Sequence, residues 1–190
     1  MAIFATAVGP TNQPVSQTSV AGTGVQVVTS PILVVGGQVY NGKPFSVVAQ
    51  GYVKAHGATQ TIAIGFQGQK YAAAFSGTQL GTGNASGAII AGTVYPFYLK
   101  ATLFADNTSG ILAGSYTVQD GVTPGFKAGT VLTNLLTGVS FGTNNVGTNV
   151  TNPLASAQAP ALQFALTFTN SVSDTSEVVS ITSFYATNDN

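Results

Sequence analysis

The sequence predicts an all-β fold, an antiparallel β-sandwich of jelly-roll type with about eight to ten short strands. Three observations carry this expectation. Apolar residues recur with period two over short stretches, which is the alternation of a sheet with one buried face. Clusters of Gly, Asn, Ser and Pro separate these stretches and supply the turns. No segment of ordinary helix length carries a 3.6-residue apolar period. The 190 residues fit one domain, large enough to bury a core without metal or disulfide support.

Taken in order, residues 1–16 read as an extended N-terminal arm and residues 17–190 as a single β-sandwich domain. Gly9, Pro10 and Pro14 keep the first segment from continuing as a regular strand. Ile3, Phe4 and Val8 then leave apolar groups to bury against a neighbouring protein, and they are the candidate partner-binding residues. The competing reading pairs Ala2 to Val8 as a strand inside its own domain. Residues 25–35 and 44–54 follow as strands. In 59–67, Ile62, Ile64 and Phe66 share one face while Thr61, Ala63, Gly65 and Gln67 share the other. A short strand is expected at 71–75, and Gly81-Thr82-Gly83-Asn84-Ala85-Ser86-Gly87 reads as a loop.

Residues 94–105 place Tyr95, Phe97, Leu99, Ala101 and Leu103 on one face, and the turn at 106–110 returns the chain into a strand at 111–118 as a hairpin. Strands are also expected at 126–132 and 138–142. Thr130 to Leu136 is the best helical stretch, long enough for a single turn. Residues 142–160 form a long Asn-, Thr-, Gly- and Ala-rich loop, of a length that is usually functional or mobile. Leu162, Phe164, Leu166 and Phe168 then alternate with Ala161, Gln163, Ala165 and Thr167, and a last alternating run spans 178–186.

Charge is the composition's most unusual feature. Only 5% of residues are charged, against about 25% in an ordinary soluble domain, and Arg is absent. Lys43, Lys54, Lys70, Lys100 and Lys127 balance Asp106, Asp120, Asp174, Glu177 and Asp189, and neither set clusters. Such a chain lacks the basic stripe that neutralises phosphates, so nucleic acid is excluded as a partner. A surface this poor in charge repels its own kind weakly, which suits a subunit of an assembly better than a free monomer. The N-terminus lacks the basic start of a secretory signal, and the aliphatic run Ile32 to Val35 is far short of the roughly 20 residues that span a bilayer. No membrane association is expected.

The search for chemistry returns little. The single His, His56, sits in a surface turn, and with no Cys it cannot build a usual zinc site. Asp106 and Asp120 lie beyond opposite ends of one strand, too far apart to share a small substrate. Asp174 and Glu177 fit a solvated turn. The glycines at 81–87 lack the Lys and the following helix of a phosphate-binding loop. The sequons at Asn84, Asn107 and Asn149 are expected by chance in so Asn- and Thr-rich a chain. Trp, the preferred sugar platform, is missing, and Phe45, Phe66, Phe97, Phe164 and Phe168 are in phase with core faces. No catalytic, cofactor-binding or metal-binding residue is assigned, and the chain is expected not to be an enzyme.

Residues 16–118 resemble a small virion protein of tailed bacteriophages, of the jelly-roll decoration or cement type. The resemblance rests on Gly36-Gly37-Gln38-Val39-Tyr40, on the strand Phe45 to Val53 with Ala49-Gln50-Gly51, on Gln60-Thr61-Ile62-Ala63-Ile64-Gly65-Phe66, and on Tyr95 to Ala101. It implies a homotrimer on the capsid exterior, in contact with the major capsid protein and with itself. It brings no catalytic residue and no small-molecule substrate. A tail or fibre module that binds a host receptor or glycan is the alternative.

Overall fold

The computed structural model describes residues 2–8, 16–19, 24–29, 31–35, 44–54, 61–83, 90–106, 110–121, 126–135, 160–171 and 178–188. Among these the chain forms β1 (Ala2–Val8), β2 (Ser16–Ser19), β3 (Gly24–Val27), β4 (Ile32–Val35), β5 (Pro44–Lys54), β6 (Ile62–Lys70), β7 (Thr78–Thr82), β8 (Val94–Asp106), β9 (Ile111–Asp120), β10 (Phe126–Thr133), β11 (Pro160–Asn170) and β12 (Val178–Asn188). Sheet A has seven strands in the order β1-β12-β5-β8-β9-β10, with β2 also on β12. Sheet B has five, in the order β3-β11-β6-β7, with β4 also on β11. Every pairing is antiparallel.

The order is that of a jelly roll. The strands pair from the outside inwards: β1 and β2 with β12, β3 and β4 with β11, β5 with β8, and β6 with β7. Successive pairs fall alternately in sheet A and sheet B, so one long antiparallel ribbon is wound into a sandwich of two Greek keys. The β9–β10 hairpin is added to this plan and widens sheet A beyond β8.

The alternation that marked the strands sets the core. Phe45, Val47, Ala49, Leu99, Leu103, Leu112 and Phe184 from sheet A meet Ile62, Ile64, Phe66, Phe164, Leu166 and Phe168 from sheet B, all essentially out of solvent. The Phe45 and Phe164 rings tie the sheets together with centroids 6.1 Å apart, and Phe66 meets Tyr116 edge-on at 5.9 Å. Each of the larger side chains in this set contributes about 1.5–3 kcal/mol by leaving water.

Several boundaries differ from the sequence expectation. Residues 25–35 are two strands, because at Thr29 the side chain replaces the backbone. The amide of Leu166 donates to Thr29 Oγ1 at 3.0 Å, while Val28 N donates to the Leu166 carbonyl. Residues 71–75 are not a strand: they run in the connection between β6 and β7, held by side-chain hydrogen bonds. Gly81 and Thr82, read as loop, belong to β7; Gly81 sits against Phe66 and Tyr116 with no room for a side chain. Residues 130–133 lie in β10 and not in a helical turn, as suits β-branched Thr130, Val131 and Thr133.

Ala2–Val8, within the segment read as an arm, is β1, and its backbone pairs along β12 of its own chain from Ala2 opposite Asn188 to Val8 opposite Phe184. The segment is thus a strand inside its own domain. Its physical reason is that β12 would otherwise present an unpaired edge, and Pro10 and Pro14 lie beyond the strand's end. The expected strand at 138–142 and the long loop, from residue 142 up to the start of β11 at Pro160, lie outside the described residues.

Candidate interaction surface

The outer face of sheet B is built from the side chains that the core alternation points away from the centre. On β3 and β4 these are Val25, Val27 and Leu33, which remain 52%, 43% and 43% exposed. Register sets Val25 beside Thr169, Val27 beside Thr167, and Leu33 beside Gln163 on β11. Lys70, at the end of β6, is the one charged residue in all five strands. The face is therefore neutral; its β11 and β6 residues Ala63, Gln69, Gln163, Ala165 and Thr167 are buried, and its exposed apolar strip runs along the β3–β4 side.

Its other side is fixed by glutamines. Gln69 Nε2 donates to Gln163 Oε1 at 2.6 Å and to the Ala74 carbonyl at 3.0 Å. The amide of Ala72 donates to Gln163 Oε1, and that of Ser76 to Gln69 Oε1. Two nearly buried side chains thus satisfy each other and fasten the 71–77 connection, which exposes Tyr71, Ala72, Ala73 and Ala74. Gln79 Nε2 bonds Thr167 Oγ1 and the Gly81 carbonyl, joining β7 to β11 across β6. These glutamines stand at alternate strand positions in the sequence, but which loop they hold depends on a β6–β11 pairing about 90 residues apart, which local spacing does not encode.

Sheet A's outer face differs in character. Val48 is absent from the inter-sheet core yet only 3% exposed; its cross-strand neighbours are Tyr185 on β12 and Lys100 on β8. Burial and the neighbouring Tyr98 hold the Tyr185 phenol above its ordinary pKa, with Lys100 pulling the other way. Beside this cluster Pro96, Phe97, Tyr98, Gln119 and Gly121 line a shallow open depression. At the opposite end of the strands Pro44, Phe104, Ala113 and Leu132 form one row across β5, β8, β9 and β10, with Leu132 76% exposed.

Among the residues singled out in the sequence, Asp106 pairs with Ile111 at one end of β9 and Asp120 closes the other, about 30 Å away by strand rise. Among the described residues no three His, Cys, Asp or Glu side chains group as metal ligands, and no helix is long and apolar enough to cross a membrane. Ile3 lies opposite Thr187, Val8 opposite Phe184, and Phe4 at a register shift between Ile3 and Ala5; their side chains lie outside the description. His56, Asp174, Glu177, Asn84, Asn107 and Asn149 also lie outside the described residues. No family model, curated protein or solved structure matches the chain.

Proposed function

We propose that the chain is a non-enzymatic virion structural protein, a capsid decoration or cement protein that binds the outer surface of a phage head. It works through protein–protein contacts with the major capsid protein and with copies of itself, as a homo-oligomer that the resemblance makes a trimer. The observation that supports the assembly reading is the exposed apolar strip Val25, Val27 and Leu33 along the β3–β4 side of sheet B, in two strands that carry no charge. Such a face gives up little hydration when covered, whereas a charged face would have to be paired group by group. The virion and its head come from the resemblance over residues 16–118.

A second reading, a tail or fibre module binding a host glycan, is favoured by the tyrosines and amides on sheet A, where Tyr98 and Gln119 border the depression. Sugar rings stack on phenol faces while amides bond their hydroxyls. The two readings separate in one experiment: the purified chain is mixed with undecorated heads on a density gradient and, in parallel, applied to a glycan array. Saturable co-sedimentation, weakened by Val27→Lys with Leu33→Lys, is the expected result. Glycan binding without co-sedimentation would replace the head reading with the fibre one.

A further inference from the structure

The ends of the two sheets are not alike. On sheet B, β3 and β4 are four residues each and β7 is five. On one side of sheet A, β2 is four residues, and β1 is broken by two register shifts. Short strands and bulges are how proteins blunt an edge against strangers. β10 is the exception. It pairs with β9 at eight consecutive positions, Phe126 with Gln119 through Thr133 with Leu112, without a register shift. Among the described residues no strand is hydrogen-bonded to its other side, although β7 of sheet B approaches it across the edge of the sandwich. Its outward residues Ala128, Thr130 and Leu132 are all exposed, and Leu132 is the most exposed large apolar side chain among the described residues.

A strand of this length with no ladder partner among the described residues offers a row of backbone donors and acceptors that water satisfies and a second strand satisfies equally. We infer that two copies of this chain join edge to edge, β10 against β10 in antiparallel register, across a two-fold axis perpendicular to sheet A. That symmetry keeps both outer faces on one side, so residues that face the same way must pair. Centring the axis on Thr130 sets it opposite its own copy and places Leu132 opposite Ala128 of the second copy, a large side chain beside a small one. Lys127 falls opposite Thr133, so the strand's one charge does not meet itself. The row Phe104, Ala113 and Leu132 then meets Ala128 of the second copy, whose own row runs on through Thr117 to Lys100.

The contact is small. A strip about 23 Å long, residues 127–133 in this register, and about 10 Å deep is on the order of 230 Å² per copy, against roughly 800 Å² in a stable standard interface. Pairing through β10 alone therefore gives a concentration-dependent dimer, and inside an assembly it acts as one link among several. The inference goes beyond the head-binding reading and does not depend on it.

Thr130 is the self-opposed position, which makes charge reversal decisive. Thr130→Lys and Thr130→Glu, studied separately by sedimentation velocity, each set like charges face to face and are expected to weaken self-association by about tenfold or more. Mixed in equal amounts they set opposite charges together, and association is expected to return to the wild-type level. Hydrogen exchange on the wild-type chain supplies an arm free of mutation: amides of residues 126–133 gain protection as concentration rises from about 5 to about 200 µM. A wild-type chain that stays monomeric, protection that ignores concentration, or an oligomer that neither variant weakens would overturn the inference. A three-chain mass unchanged by either variant leaves the trimer standing and removes the two-fold contact; loss of the two-fold contact with head binding intact does the same for the proposed function.

Discussion

Gly114 has a φ of +156° inside β9, and a side chain there would run into the Thr102 carbonyl of β8. Gly114→Ala is expected to cost about 2 kcal/mol or more, read as a lower urea midpoint with unchanged m-value. Phe164→Ala removes the ring that meets Phe45 between the sheets and should cost about 3–5 kcal/mol by the same measurement. Gln163→Ala leaves the buried Gln69 amide and the Ala72 N–H short of an acceptor, a loss of about 1–3 kcal/mol with faster exchange at 72–76. Tyr185 supplies a pH dependence whose sign follows from its raised pKa. The fold favours the neutral phenol, so that contribution is present below the ordinary tyrosine pKa of about 10 and is lost as pH rises through the higher folded value. Alkaline melting should fall less steeply in Tyr185→Phe. At this scale the sequence is readable for the core: Phe45, Phe66, Phe164 and Phe168 are in phase and buried. It is silent on Gly114 and Gln163, whose roles depend on atoms of other strands.

At the scale of elements, alternation located β5, β8, β9, β11 and β12 within a few residues, because each has one face in the core and its apolar residues keep step. It failed where side chains replace backbone bonds, at Thr29 and at 71–77, and where a glycine packs tightly, at Gly81. β1 shows a further limit. Gly9, Pro10 and Pro14 argue against a strand at their own positions, yet Ala2–Val8 just before them can still cover the edge of β12. Deleting residues 1–8 is therefore expected to lower the melting temperature and to promote precipitation through the uncovered β12. A deletion that melts normally but no longer binds its partner would return Ile3, Phe4 and Val8 to the role of an attachment arm.

For the molecule as a whole, the sandwich was legible and the strand order was not. Period-two patterning fixes how many faces must be buried; it does not say that β5 pairs with β8 or that β12 lies between β1 and β5, because those contacts join residues far apart in the chain. That a chain with 5% charged residues and exposed apolar sheet surface is a building block of an assembly is tested by its mass in solution. Light scattering at tens of micromolar is expected to give a multiple of the 19.1 kDa chain, with the fraction assembled rising with concentration. A monodisperse species of 19.1 kDa throughout that range would contradict the claim.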